Sequence, residues 1–149
     1  MRGKYIVLEI IPTSTNPSRG DVIQLSALKL NGLELVDRFD YRINEEYVPL
    51  TEMLDMISYD KDKFVYKETT KEIMDDFSKW VEDYELLILN NSYTLNYLKD
   101  IPNLKRDIAT YLNLSYTDDI VDVIMNKYHL EPSDYIVDLL YEALIYETK

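Results

Sequence analysis

One carboxylate stands out because of the residues that surround it. Glu9 lies inside Tyr5–Ile10, a short run rich in isoleucine and valine of the kind that forms a strand covered on both faces. A buried carboxylate costs several kcal/mol unless it is paired or bound to a metal ion. Glu9 is therefore the first candidate for chemistry, either as a metal ligand or as one half of a polar pair.

The composition excludes most other kinds of site. The chain has no cysteine, 3 glycines and a single histidine, His129. Disulfides, thiolate metal sites and a cysteine nucleophile are therefore excluded, and no second histidine is present for a Ser-His-Asp set. The sequence also has no zinc-ligand spacing and no glycine-rich phosphate-binding loop.

Glu9 should lie next to an antiparallel hairpin. Pro12–Gly20 has loop composition, and Val22–Leu30 alternates apolar with small or polar residues, which is typical of a half-buried strand. Asn31-Gly32 is a strong signal for a type I′ turn, because both central positions of that turn need positive φ. A third strand, Leu33–Ile43, should follow. Its expected core contacts are Leu33, Leu35, Val36 and Phe39.

The rest of the chain reads as helices with one more buried strand. The spacing of Ile73, Phe77 and Val81, with Trp80, predicts a helix from Thr69 or Thr70 to about Tyr84. Leu86–Asn90 should be a strand parallel to the first. The other predicted elements are a connection at Asn44–Pro49, a short helix at Leu50–Ser58, a loop at Tyr59–Tyr66, helices at Ser92–Lys99, Thr117–Tyr128 and Ser133–Glu147, and a strand or helix at Lys105–Leu112.

The opening of the chain resembles the proofreading-type (DEDDh) 3′–5′ exonucleases of the RNase H-like superfamily. In that family the first strand ends in Asp-x-Glu, followed by a threonine-rich loop, an Asn-Pro and a strand reading Ile-Ile-Gln-Ile-Gly-Ala. Here Glu9 stands at the Asp position and Ile11 at the Glu position. Thr13 lies in the loop, Asn16-Pro17 follows, and Val22–Ala27 reads Val-Ile-Gln-Leu-Ser-Ala.

The resemblance extends from Lys4 to about Tyr146. It implies an α/β fold with an RNase H-like mixed sheet and flanking helices, with residues 1–149 as a single exonuclease-like domain. It also implies phosphodiester hydrolysis by two divalent cations about 4 Å apart. In the family an Asp and a Glu on the first strand, an Asp on the helix after the fourth strand and a last Asp on the C-terminal helix hold these ions. A histidine five residues before the last Asp is the general base.

The second stretch that resembles the family lacks the metal-binding aspartate. Leu89–Leu98 aligns with the pattern His-Asn-x-x-Phe-Asp-x-x-Phe-Leu, and Thr94 stands where the metal-binding Asp belongs. The framework positions that are kept are Asn90, Tyr93, Tyr97 and Leu98. Asp100 lies six residues further on, about 240° around a helix from Thr94, so it is a poor substitute.

Two registers compete for the third segment. Aligned by its apolar pattern, Pro132–Leu140 places Asp138 at the last catalytic Asp and Ser133 at the histidine position. Alternatively, His129 and Asp134 have the family's spacing of five residues. The proline between them and the helical fit of the residues after Asp138 favour the first register.

Neither register restores the acidic set. Ile11 and Thr94 remove two of four carboxylates in both cases. Glu9 and Asp138 are then expected to hold at most one metal ion, and a hydrogen-bonded polar pair is the preferred interpretation.

Length and charge narrow the class of protein. The chain has 149 residues, of which 46% are hydrophobic and 30% charged, as expected for one globular domain with a core. It has no apolar run near the roughly 18 residues of a membrane span, and Glu9 and Pro12 interrupt the stretch that a secretory signal would need. We therefore expect a cytoplasmic protein without membrane contact.

The acidic net charge indicates which kinds of partner the protein is expected to bind. The net charge is −12, from 28 acidic and 16 basic residues, and no basic run is present. Because nucleic-acid binding depends largely on Lys and Arg that neutralise phosphates, tight nucleic-acid binding is not expected. An acidic surface also simply favours solubility. The 14 tyrosines are compatible with a protein interface, including a homodimer.

The leading hypothesis is a catalytically degenerate exonuclease-like protein that acts by binding, without a cofactor. Its expected partner is a protein, such as a nuclease, a polymerase or another nucleic-acid enzyme that it regulates or inhibits in nucleic-acid metabolism or phage–host defence. One alternative is an active, Mg²⁺- or Mn²⁺-dependent 3′–5′ exonuclease with a site rebuilt around Glu9 and Asp138. Another is a non-cleaving module that holds a nucleic-acid end.

Overall fold

The computed structural model describes residues 2–12, 22–42, 70–89, 92–114, 119–133 and 135–148. The predicted connection Asn44–Pro49, helix Leu50–Ser58 and loop Tyr59–Tyr66 lie outside these residues, as does the loop after Pro12. In chain order the elements are β1 (Lys4–Pro12), β2 (Val22–Asn31), β3 (Glu34–Arg42), α1 (Thr70–Trp80), β4 (Glu85–Ile88), α2 (Ser92–Tyr97), β5 (Lys105–Asp107), a 3₁₀ turn (Ile108–Thr110), α3 (Ile120–Tyr128) and α4 (Ile136–Glu147).

The five strands form one mixed sheet in the order β3-β2-β1-β4-β5. β2 pairs antiparallel with both β1 and β3, whereas β4 pairs parallel with both β1 and β5. The predicted α/β mixed sheet and the parallel pairing of β4 with β1 are therefore confirmed. Residues 5–12 of the central strand β1 are all buried, which explains its near-continuous apolar sequence.

Two apolar clusters cover the two faces of the sheet. The first face packs against α1 and α2, and the second packs against α3 and α4. The side chains of the first face include Ile6, Leu8, Ile23, Leu25, Ile73, Phe77, Val81 and Leu98. Those of the second face include Val7, Leu28, Leu30, Leu87, Ile120, Ile124, Val137, Leu140 and Leu144. Since side chains alternate along a strand, each strand position can be assigned to one face.

The predicted hairpin is confirmed, but its turn is displaced by one residue. Asn31 pairs with Glu34, so the two loop residues are Gly32 and Leu33. Gly32 has a φ of 61° and no positive φ is found at Leu33, so the type I′ prediction is wrong. Glycine at the first loop position, where φ is positive, is the arrangement typical of a type II′ turn.

The prediction that Leu35 and Val36 contact the core is wrong, because their exposed fractions are 44% and 52%. The pairing shifts between Lys29, opposite Asp37, and Leu30, opposite Leu35, which leaves Val36 as an extra residue in β3. Such a bulge interrupts the alternation on which the prediction relied. The other two predicted contacts of β3, Leu33 and Phe39, pack against the core and are confirmed.

The half-buried interpretation of β2 is also wrong. Every residue from Val22 to Leu30 is buried, including Gln24, Ser26 and Lys29. β2 lies between β1 and β3, so both of its edges are paired as well. Its polar side chains therefore lie inside the protein, where each needs a partner.

The helices follow the predicted apolar spacing, and their observed bounds differ from the predicted bounds mainly at the helix ends. α1 ends at Trp80, earlier than predicted, and Glu82 just beyond it has a left-handed φ of 51°. α4 begins at Ile136 because Tyr135 is extended, with φ −120° and ψ 113°. The ambiguous Lys105–Leu112 segment is a short strand followed by the 3₁₀ turn. No helix among the described residues is long and apolar enough to cross a lipid bilayer.

Asp37 links β3 to α1 and should make stability depend on pH. Trp80 Nε1 donates to Asp37 Oδ2 at 2.9 Å. This hydrogen bond lowers the pKa of Asp37, and the Arg38 backbone N–H and the charge of Lys29 lower it further. A lowered pKa in the folded state gives stability that is present above the unfolded pKa of about 3.9 and is lost as pH falls through the folded pKa. We expect Asp37→Asn to reduce the stability above that range.

Melting temperatures measured from pH 7 down to about pH 2 check this prediction. The melting temperature of Asp37→Asn should lie below that of wild type at neutral pH, and the two should converge as the pH falls toward 2. The matched control is Asp75→Asn at an exposed position of α1, which should leave the pH dependence unchanged. An offset between wild type and Asp37→Asn that stays constant at every pH would contradict the prediction.

Candidate functional site

Polar side chains gather on the second face of the sheet beside the carboxyl-terminal half of β1. Glu9 pairs in register with Ser26 of β2, and Ser26 pairs with Asp40 of β3. Directly opposed residues on neighbouring strands point to the same face, so these three side chains form a row across the sheet. Gln24 lies two residues before Ser26 on β2, and Arg38 lies two residues before Asp40 on β3, so both point to this face as well.

Glu9 is half of a buried polar pair. Its exposed fraction is 9%, and that of Gln24 is 0%. Gln24 Nε2 donates to Glu9 Oε1 at 2.7 Å. The structure thus gives Glu9 an amide partner on the adjacent strand, which compensates part of the cost of burying the carboxylate.

Asp138 lies in the first turn of α4 and contacts Arg38 of β3. Arg38 Nη1 donates to Asp138 Oδ1 at 2.8 Å, and Nη2 approaches Oδ2 at 3.4 Å. The same guanidinium donates through Nε to Asp40 Oδ2 and lies 5.0 Å from the ring centroid of Tyr135. The Arg38 side chain is therefore a cation fixed between two carboxylates, at the junction of β3 and α4.

The pKa of Arg38 reflects these contacts. Burial favours the neutral guanidine, but the hydrogen bonds to Asp138 and Asp40, together with their charges, raise the pKa well above its usual value. Arg38 therefore stays charged at every accessible pH. Its charge neutralises a carboxylate that, in the family resemblance, would face a metal ion.

The other two acidic positions of the family carry no carboxylate. Ile11 is 2% exposed and pairs in register with Gln24, which places its side chain on the same face of the sheet as Glu9. Thr94 is 4% exposed, in the middle of α2. Asp100 lies in the turn after α2 and is exposed to solvent, consistent with its poor fit as a substitute.

The two C-terminal registers remain predictions. Ser133 is exposed before α4, and its Oγ accepts a hydrogen bond from the Tyr135 N–H at 3.2 Å. His129 is exposed at the C-terminal cap of α3, with a left-handed φ of 56°. Asp134, its partner in the second register, lies outside the described residues.

The side chains of the described residues do not fit a site for two divalent cations. Mg²⁺ and Mn²⁺ take oxygen ligands, and carboxylates supply both the oxygens and the compensating charge. Within the described ranges no group of three or more His, Cys, Asp or Glu side chains is placed to hold a metal ion. A single ion held by Glu9 and Asp138 remains a prediction, and the structure shows these residues with Gln24 and Arg38 instead.

Arg38, Asp40 and Gln24 were not identified from the sequence. The hairpin contained a signal for them, because a turn at Gly32 sets the register that places alternate residues of β3 beside alternate residues of β2. The contact of Arg38 with Asp138 had no such signal, since 100 residues separate the two in sequence.

Part of the sequence is similar to PolC-type DNA polymerase III from two bacteria. No protein-family model matches the chain. It is 23% identical over 94 residues to the PolC-type DNA polymerase III of Bacillus cereus, and 24% identical over 100 residues to that of Staphylococcus aureus. Each match covers 63% of this chain, but only 7% and 6% of the respective polymerases. The chain therefore corresponds to a small part of those relatives.

Solved structures of exonuclease I share the fold along almost the whole chain. A product-bound exonuclease I aligns with a TM-score of 0.67 and 13% identity, covering 99% of this chain and 43% of that one. E. coli exonuclease I in complex with a dA16 oligonucleotide gives a TM-score of 0.66 at 12% identity, covering 98% and 40%. The chain thus has an exonuclease-type, RNase H-like fold, and the resemblance to the proofreading-type 3′–5′ exonucleases that the sequence predicted is confirmed.

Proposed function

We propose that this nuclease-related protein is catalytically degenerate and acts by binding a protein partner. One observation carries the proposal: the two remaining carboxylates at the family's acidic positions, Glu9 and Asp138, are engaged by Gln24 and Arg38. Buried Ile11 and Thr94 occupy the other two positions. The acidic set is thus halved, and each remaining acid has a side-chain partner.

Electrostatics explains why these substitutions oppose the ancestral chemistry. Two dications bring a charge of about +4, which four carboxylates balance in the two-metal mechanism. Here two carboxylates remain, and the guanidinium of Arg38 lies against one of them at 2.8 Å. A dication placed beside Asp138 would meet the fixed positive charge of Arg38, and like charges at this separation repel each other. Hydrolysis assisted by two metals is therefore disfavoured.

The distribution of cations supports a protein partner over a nucleic acid. The net charge is −12. Several cations of the described chain are already engaged by carboxylates: Lys4, Lys29, Arg38, Arg106 and Lys127. Cations paired internally are less available to neutralise phosphates, and affinity for nucleic acid depends on that neutralisation. A protein of nucleic-acid metabolism, such as a nuclease or a polymerase, is the partner class that we propose.

A nuclease assay tests the loss of catalysis. Purified protein incubated with a 3′-labelled single strand and either Mg²⁺ or Mn²⁺ should leave the strand at full length. Glu9→Ala should give the same result as wild type, because Glu9 has no catalytic role in this proposal. Stepwise shortening by wild type that disappears in Glu9→Ala would contradict the proposal.

The similarity to PolC-type polymerases favours one second candidate, an active metal-dependent 3′–5′ exonuclease with a remodelled site. Its site would have to use Glu9, Asp138 and a further carboxylate. Crystals soaked in Mn²⁺ separate the candidates, since anomalous density for two ions beside Glu9 supports the exonuclease. Density for no ion there supports the non-catalytic protein.

A further inference from the structure

A surface groove of about 580 Å³ lies along α4 and the segment that precedes it. Its apolar lining includes Leu130, Leu139 and Ile145, and Tyr146 contributes a ring that is 53% exposed. The volume is in the range of ligand-binding clefts, which are about 300–1,000 Å³. The apolar lining of this groove gives a partner's side chain a surface to bury.

Three carboxylates and one histidine, His129, line the groove, so its charged groups are mainly acidic. Glu131 and Glu142 line it, both exposed, and neither forms a hydrogen bond or ion pair with another described residue. Asp138 is a third lining carboxylate, already held by Arg38. No lysine or arginine is found among the described residues that line the groove. These two carboxylates, which have no partner among the described residues, are therefore the groups of the groove that can pair with a cation of a binding partner.

We propose that this groove docks a basic segment of the protein partner, in which lysine or arginine flanks an apolar side chain. The apolar side chain packs on Leu130, Ile145 and Tyr146, while the flanking cations pair with Glu131 and Glu142. A phosphate backbone is disfavoured at the same place, because it would meet these carboxylates without a cation to receive it. The inference rests on the proposed function, since it gives the chemistry of the partner that function requires.

Selection from a phage-displayed library of random dodecapeptides tests the inference with the full chain as bait. Selected peptides should be enriched in lysine and arginine around an apolar residue. The affinity of a selected synthetic peptide is then measured for Glu131→Gln/Glu142→Gln, where we expect the Kd to rise about five- to tenfold. Tyr146→Ser should weaken binding as well, because it removes exposed ring surface from the groove.

The matched control is Asp75→Asn/Asp76→Asn on α1, which makes the same change in net charge at exposed positions away from the groove. This control should leave the Kd unchanged. Equal weakening by both double variants would show general attraction to an acidic protein and would overturn the inference. Selection of acidic or uncharged peptides, recovery of no peptide, or displacement of the peptide by an oligothymidylate would overturn it too.

The proposed function fails by a different measurement. Shortening of a labelled strand in the nuclease assay would remove the non-catalytic proposal, whatever the peptides do. Loss of groove-specific peptide binding with an intact labelled strand would remove only the basic-segment inference.

Discussion

Replacing Lys29 by alanine is expected to destabilise the protein by about 3 kcal/mol, because a buried side chain and its cation are lost together. Lys29 lies on β2 with an exposed fraction of 4%. Its Nζ donates to the carbonyl oxygen of Trp80, the last residue of α1, and to Glu82 Oε1 at 2.8 Å. It also lies 4.5 Å from the ring centroid of Trp80 and 4.9 Å from that of Tyr84.

The position of this cation accounts for the size of the effect. A positive charge at the C-terminal end of a helix interacts favourably with the helix dipole and satisfies a carbonyl that has no partner within the helix. Lys29 thereby joins β2 to the end of α1. Without it, the Trp80 carbonyl loses its donor and the space between the two rings is left empty.

Urea denaturation of purified variants measures the loss. Lys29→Met keeps most of the buried alkyl chain and removes the charge, so it should cost less than Lys29→Ala, about 1 kcal/mol. Lys4→Ala is the control for an exposed pair, because Lys4 contacts Asp83 at 3.6 Å with both side chains more than half exposed. It should cost at most about 0.5 kcal/mol. A Lys29→Ala variant as stable as Lys4→Ala would contradict the role assigned to Lys29.

Local patterns predicted those parts of the fold that depend on neighbours in sequence. The apolar run around Glu9 identified the central strand, and Gly32 identified the hairpin. The spacing of Ile73, Phe77 and Val81 identified α1 and its buried side. Each of these signals is a period or a turn preference that a few adjacent residues express.

The contacts that decide the chemistry of the site join distant parts of the chain. Lys29 and Glu82 are 53 residues apart, and Arg38 and Asp138 are 100 apart. A lysine such as Lys29 in a strand sequence indicates a solvent-facing position when its partners are not known. This is why β2 was predicted to be half-buried. The loss of acids at positions 11 and 94 was visible in sequence, whereas the partners of the remaining acids required the three-dimensional register.

Restoring the two lost acids is expected to make stability depend on a divalent cation. Ile11 and Thr94 are 2% and 4% exposed, so Ile11→Glu/Thr94→Asp buries two carboxylates. Each uncompensated charge costs several kcal/mol, and the double variant should be much less stable than wild type without metal. Mn²⁺ should recover part of this loss, about 2.7 kcal/mol when its concentration is about one hundred times its Kd. The melting temperature of the wild-type protein should not change when Mn²⁺ is added.

The neutral variant Ile11→Gln/Thr94→Asn separates charge from shape. It introduces side chains of similar size without a negative charge, so it should be destabilised but indifferent to Mn²⁺. The single variant Ile11→Glu is the alternative if the double variant does not fold without metal.

A wild-type protein that melts higher in Mn²⁺ would show that Glu9 and Asp138 already hold an ion. A restored variant that ignores Mn²⁺ would show that the missing acids do not explain the difference from the family. Because Arg38 still neutralises Asp138 in every one of these variants, restored metal binding need not bring back cleavage.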